Sequence, residues 1–524
     1  MPIRMDKDEQ QPRRNRPNNP QPGGGGGGLS RMLPFLLLFI FKKPKLLIPI
    51  LIIGAIFYFM SGGDFMNQFL GPVDSSTDAP SQDWEYSLGF SPNQEAYDER
   101  LVYASLAEAR NSRPARISLL EYAPPRLNQG RQGSCVGWAA AYAARSILHS
   151  RQTGNSPRQS MFSPSYIYNQ IAFEGCQGTY LHYAMETMMK QGALPFSEFE
   201  YNEGSCRMQP TESEKRQASQ FRIKGYERLS QGANNYKVDI NAIRQYVAAG
   251  SPVVIGMMVG KSFTYGMKGQ QVWQPTRQDM SGRGLGGHAM CVIGYDDTAL
   301  SGEGAFQIMN SWGNDWGKDG IVWVGYDDFE YFVKEAYGAY PMGTAQNVDP
   351  NKLAVQFALL LNEGQTNVPL QQVSGGIFST QRPLSRGEKF KVAFANSIDC
   401  YTYIFGEETD GSSYVLFPYT EKHSAYCGIT GTRIFPNDYS MVPDDVGSTD
   451  WISIVVSKEP LNFDQLNRQI NASSKNTFAG KVNDALGSRL LNNPKFSTPN
   501  GNIQFESAVR SNSAVAVTLA IDKR

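Results

Sequence analysis

The sequence predicts an α+β chain built in segments. They are an N-terminal membrane helix, a two-lobed domain with a helical lobe before an antiparallel β lobe, and a separate β-rich C-terminal domain. Three observations carry this reading. A glycine-punctuated turn at residues 129–138 opens into an alanine-rich run at 139–144, the pattern of a buried helix. Strand-length apolar runs at 252–258, 289–295, 305–309 and 321–324 dominate the later part of the same domain. Far upstream, residues 46–60 form an apolar stretch preceded by lysines.

In chain order, the 524 residues carry 49 basic and 49 acidic side chains, a balance that gives no electrostatic footprint for nucleic acid. Residues 1–45 read as a disordered, basic cytoplasmic tail with a glycine run at 23–28. Its apolar segment at 33–41 is too short to span and contains Pro34, so it is expected at the membrane interface. The next run, extended to a signal-anchor at 46–63, reaches ~23 Å over its apolar core against a ~30 Å hydrocarbon layer. Thinning of the bilayer or use of residues 61–65 closes the gap. Arg13, Arg14, Arg16, Arg31, Lys42, Lys43 and Lys45 precede it, so the N-terminus is expected in the cytoplasm and everything downstream outside, in the periplasm of a Gram-negative cell. A signal peptide cut near Ser61 or Gly63 is the alternative. Residues 64–113 read as a linker and a short pre-segment, with helical spacing over 94–110.

Chemistry concentrates at Cys135. A thiol at a helix start faces unpaired backbone N–H groups and the positive end of the dipole, which favours the nucleophilic thiolate. A buried structural cysteine is the alternative, and a downstream base decides between them. Of four histidines, His149 sits too far along the same helix, and His182 and His423 have no motif and read as surface residues. His288 follows glycines and begins an apolar strand; a second strand ends at Asn310. Folded as an antiparallel hairpin, these strands bring His288 and Asn310 together. An amide oxygen there fixes the imidazole and leaves its other nitrogen for the thiol proton.

These segments, with Asn310-Ser311-Trp312-Gly313-Asn314-Asp315-Trp316-Gly317, resemble the papain-like cysteine peptidases over residues 114–340. The resemblance implies a papain-like catalytic domain at 114–345 acting on a polypeptide substrate. It implies Cys135 as nucleophile, His288 as acid/base, Asn310 as its orienting group and Gln129 as side-chain donor to the oxyanion. Trp312 would cover the His–Asn pair, and Gly178, Thr179 and Ala289 would line the substrate side. Val136 and Gly287 depart from the usual family residues, and the long helical pro-region motif of the family is absent. Either a short pre-segment packs on the enzyme instead, which is the preferred reading, or latency is not used.

Setting aside Cys135 and Cys291, the cysteines fall two per domain, which suggests Cys176–Cys206 and Cys400–Cys427 disulfides in an oxidising compartment. In the family a cysteine would stand at Gln132, so the first pairing is an inference. No Cys-x-x-Cys occurs, and neither metal nor cofactor is expected. Residues 346–524 read as a β-rich accessory domain, with short strands, a helical stretch at 463–491 and a final strand at 514–521. It is assigned binding or positioning, with a protein partner in view. The leading function is an exported, membrane-anchored cysteine endopeptidase. A non-turning-over scaffold and an acyl-transferring transpeptidase are the alternatives.

Overall fold

The computed structural model describes residues 3–7, 86–232, 235–340, 351–361, 366–436 and 439–524. The expected anchor at 46–63, the tail before it apart from residues 3–7, and the boundary near 345 lie outside the described residues. Among the described residues no helix is long and apolar enough to cross a membrane.

The two-lobed α+β fold is present. The first lobe is a nearly continuous helical path from Cys135 to Thr153, whose middle, Trp138–Arg145, is wound as a π-helix. Small side chains allow it: Ala139, Ala140, Ala141, Ala143 and Ala144 are all buried, and Pro164–Ile171 and Leu181–Lys190 pack close by. The second lobe is a sheet ordered Gly225–Arg228, Val333–Tyr340, Val253–Val259, Gly286–Leu300, Glu303–Met309, Ile321–Gly325 and Val272–Trp273. Its pairs are antiparallel except the last. The long strand turns later than the sequence suggests, since Leu300 pairs with Glu303. Residues 296–300 continue the strand, while Arg116–Ser118 pairs Gly294–Asp296 from its other side.

The C-terminal region is two sheets around one core, in which Val355, Phe357 and Phe394 of one sheet meet Ile404, Ile454 and Val517 of the other. The helices Phe463–Ala472 and Phe478–Leu486 cover the second sheet's outer side. Ile3–Lys7 is an edge strand of the first sheet, antiparallel to Tyr439–Pro443.

Helical spacing over 94–110 yields only Gln94–Asp98 and one 3-10 turn, Glu108–Arg110. The stretch between is extended because it finds partners on both sides. Tyr103 N–H donates to Arg228 O at 3.2 Å, while Val102 N–H donates to Lys422 O at 2.7 Å. Inter-element hydrogen bonds outweigh helix periodicity here. The fully buried Arg433 completes this seam, donating to Ala104 O (2.9 Å), Ile429 O (2.8 Å) and Asn396 Oδ1 (2.9 Å).

The Cys176–Cys206 disulfide is formed and closes a 30-residue separation, a loop length that stabilises by about 3–4 kcal/mol in the chain-entropy picture. The expected Cys400–Cys427 bond is corrected: both are free, buried thiols. They sit opposite each other on paired strands, so the sequence distance reported proximity correctly but not bonding. Cys427 Sγ lies 3.7 Å from Thr402 Oγ1 and 3.8 Å from Ala425 O. The nearby Arg433 guanidinium offers that sulfur a cation as well. His182 is also corrected, from surface to buried.

Candidate active site

Cys135 begins the first-lobe helix, directly after the turn that carries Gln129, and its side chain is fully buried. The hairpin Gly286–Met309 delivers His288 and, just past its end, Asn310 from the other lobe. His288 Nε2 lies 2.7 Å from Asn310 Oδ1, and the Ser311 N–H donates to the same oxygen at 2.7 Å. An atom accepting from a backbone N–H is the amide oxygen, so Nε2 carries the imidazole proton. Nδ1 is then the basic nitrogen; it is buried with no hydrogen-bond partner among the described residues. Trp312 stacks on the imidazole, with centroids 4.1 Å apart at 20°.

The lobes meet at the sulfur. Ala289 N–H lies 3.4 Å from Cys135 Sγ, so the residue after the histidine touches the thiol. No hydrogen bond joins thiol and imidazole in this state. Burial pushes the Cys135 thiol up to about 12, although the N–H groups of Ala289, Gly89, Val136 and Cys135 itself pull the other way. Burial likewise pulls His288 down to about 4, opposed by Asn310. In this closed site desolvation thus acts against the charged form of both groups.

The closing element is the chain's own segment at residues 86–91. Gly89 O accepts from Thr179 N–H at 2.9 Å, and Ser91 N–H donates to Thr179 O at 3.1 Å. Gly89 and Phe90 N–H groups donate to Gly287 O at 3.2 and 3.0 Å. Ser87 O accepts from Gln129 Nε2 (3.1 Å) and from Trp312 Nε1 (3.3 Å), and Tyr86 stacks on Trp312 with centroids 5.0 Å apart. Phe90 is buried over Gly256, where an added Cβ would come within 2.2 Å of its ring. Gly89 passes so close to the nucleophile's loop that a Cβ there would stand 1.9 Å from Gly133 O. This is strand addition onto a preformed edge.

Cys135, His288, Ala289, Asn310, Gln129, Trp312 and Thr179 therefore converge on one cleft. Gly178 differs. Its N–H donates to Tyr168 Oη and its carbonyl accepts from Phe173 N–H, so its backbone is committed inside the loop. It serves by lacking a side chain, since a Cβ would fall 2.5 Å from Gly89 O. Tyr86, Ser87, Gly89 and Phe90 are not singled out by the sequence, which reads residues 64–113 as a linker and a short pre-segment packing on the enzyme. Their signal was slight: aromatic residues around a glycine in otherwise polar chain.

Comparison with known proteins finds the family "Papain family cysteine protease" matched over residues 120–337. A peptidase C1-like protein of Acanthamoeba polyphaga mimivirus is 27% identical over 40% of this chain and 67% of its own length. Cathepsin B-like CP2 of Giardia intestinalis is 28% identical, over 38% of this chain and 62% of its own. Cathepsin J of Mus musculus is 26% identical, over 42% and 62%. The chain thus spans about two thirds of the length of these relatives. Among solved structures, xylellain, a cysteine protease from Xylella fastidiosa, is 24% identical with a TM-score of 0.41, covering 49% of this chain and 97% of xylellain.

Proposed function

We propose, from the premise that residues 120–337 are a papain-family, cysteine-type peptidase domain, that the chain is an exported, membrane-attached endopeptidase held latent by its own residues 86–91. The observation that carries the catalytic reading is the His288–Asn310 contact beside a sulfur touched by Ala289. Once the segment leaves, Nδ1 of His288 takes the thiol proton. Cys135 attacks a peptide carbonyl, and the oxyanion is held by Gln129 Nε2 and the Cys135 backbone N–H. Losing one such donor costs about 3–4 kcal/mol of transition-state stabilisation. The imidazolium protonates the departing amine, and a water deprotonated by the same ring hydrolyses the thioester.

Latency rests on what the bound segment presents. The carbonyl at Gln129 Nε2 is that of Ser87, and the Gly89 and Phe90 N–H groups are spent on Gly287 O, next to the histidine. The segment fills the site as a strand paired to both lobes, which bars a substrate until it leaves. For the C-terminal domain, the partner this reading supplies is the strap at residues 101–111, fastened by Arg433, Thr432 and Ser424.

Export is supported by the Cys176–Cys206 disulfide, and membrane attachment by the apolar run at residues 46–60. The pairing of Ile3–Lys7 with Tyr439–Pro443 bears on topology. A single crossing at 46–63 with a cytoplasmic N-terminus and this strand pairing exclude one another. A membrane-impermeant thiol reagent applied to whole cells carrying Met5→Cys labels that position only if it lies outside with the domain.

The catalytic reading is tested in the full chain carrying Phe90→Asp, which removes the buried ring. An electrophilic thiol probe should label Cys135, and peptide cleavage should appear. Cleavage that survives a further Cys135→Ala substitution would defeat it.

A further inference from the structure

The loop that builds the oxyanion hole needs something to hold its shape, and Gln132 stands where the resembling family would place a cysteine. The loop's two ends meet one side chain. Tyr201 Oη lies 2.6 Å from Gln129 O and 2.7 Å from Ser134 Oγ. A carbonyl only accepts, so the single Tyr201 proton goes to Gln129 O and Ser134 donates to the phenol oxygen. Gln129 carries the side-chain donor of the hole, and Ser134 immediately precedes the nucleophile, whose N–H is the other donor. The phenol therefore spans the distance between the two donors.

Its own placement is over-determined. The ring packs edge-on against Trp138, with centroids 4.9 Å apart, inside the same helix as Cys135. Asn202, the next residue, accepts from Gln132 Nε2 at 3.2 Å through its carbonyl. A few residues on, Cys206 ties this loop to Cys176 beside the substrate-pairing Thr179. Ser311 Oγ donates to Gln129 Oε1 at 2.6 Å, which turns Nε2 into the cleft, and Gln129 N–H donates to Ser311 O at 2.8 Å. Ser311 thus holds the side chain and the backbone N–H of Gln129 from the second lobe, and Tyr201 holds its carbonyl from the first. Burial also raises the phenol above its ordinary pKa, so it stays protonated and keeps donating.

We propose that Tyr201 is a positioning residue for this reaction: by bridging Gln129 and Ser134 it sets the spacing of the two oxyanion-hole donors. The proposal rests on the peptidase reading above and adds a residue to it. Because the donors remain and only their separation loosens, the loss is smaller than the 10²–10³-fold seen on deleting a donor. Misplacement by a fraction of an ångström should cost about ten- to thirtyfold.

The test uses the full chain with Phe90→Asp, comparing Tyr201 with Tyr201→Phe. Three readouts separate the possibilities: kcat and KM on a peptide substrate, affinity for a peptide aldehyde, and the rate of thiol exchange with 2,2′-dipyridyl disulfide. The aldehyde adduct places an oxygen in the hole, whereas disulfide exchange makes no oxyanion. Expected is a ten- to thirtyfold fall in kcat with KM within about twofold. Aldehyde affinity should fall in parallel, and exchange should stay within about twofold. Unchanged kcat and aldehyde affinity overturn the proposal while leaving the peptidase reading intact. An equal fall in all three, with a lower melting temperature, also overturns it by making Tyr201 a general structural support. If the Tyr201 parent neither cleaves peptide nor binds aldehyde, the underlying reading fails and takes the proposal with it. As a second variant, Ser134→Ala keeps the Tyr201–Gln129 bond and should lose less than Tyr201→Phe; a larger loss counts against the bridge.

Discussion

One stretch of chain is held in two places, and the two are built differently. In the cleft, residues 86–91 are held by backbone pairing with Thr179 and Gly287, by Gln129 and Trp312 donating to Ser87 O, and by two aromatic rings, Tyr86 on Trp312 and Phe90 over Gly256. At the seam with the C-terminal domain, residues 101–111 are held by a fully buried guanidinium, by reciprocal bonds between Asn111 and Thr432, and by Gln245 bonded to both backbone groups of Leu106. The cleft contact depends on shape, and it surrounds groups that must later face a substrate. The seam leaves a charge and several carbonyls unpaired if it opens, which is costly in a dry environment. The difference argues for a hold that can be released beside one that persists.

The largest expected effect lies at the cleft. Burying a phenylalanine contributes about 1.5–3 kcal/mol, and a carboxylate in its place adds a desolvation penalty. Phe90→Asp should therefore raise the initial cleavage rate by roughly a hundredfold over the unprocessed wild type, read with a fluorogenic peptide. A rate equal to wild type would mean that the ring is not what keeps the cleft shut.

Next comes the seam. Arg433→Met should destabilise the chain by about 3–5 kcal/mol in denaturant unfolding. It should also expose residues 101–111 to proteolysis, with much less gain in activity than Phe90→Asp. Should Arg433→Met open the cleft as fully, the two holds are a single device and the contrast dissolves.

The smallest effect is pH-dependent. Glu227 sits at the same seam, bonded by Tyr340 and Tyr246. Burial pushes its carboxyl from 4.5 to about 7, against hydrogen bonds from Ser424, Tyr340 and Tyr246 and the charge of Arg433. Between those values the folded chain keeps a proton that the unfolded chain releases. Its stabilising effect is complete below the lower value and declines as pH rises toward 7. Glu227→Gln should flatten that decline in the melting temperature between about pH 5 and pH 8. A slope identical to wild type would remove Glu227 from the account.

The sequence resolved the catalytic lobes better than the regions that hold them. His288 and Asn310 could be paired on paper because a hairpin converts sequence separation directly into spatial adjacency. Strands at 252–258 and 321–324 are visible as apolar runs, as is the final strand at 514–521. The short strands at 367–380 and 426–443 were missed, being mixed in polarity and defined by their partners rather than their own pattern. The cysteine pairs make the same point: equal spacing logic produced a bond at Cys176–Cys206 and two free thiols at Cys400 and Cys427.

Residue order alone determined the chemistry on offer, because a cysteine at a helix start, a histidine on a strand and an asparagine at the end of its neighbour are set by local periodicity and turn residues. Tertiary structure decided what that chemistry does at rest. The cleft is filled by residues 86–91, the thiol is buried, and an extended strap runs where helical spacing was read. Each of these depends on contacts between segments far apart in sequence, whose hydrogen bonds and desolvation outweigh any local preference.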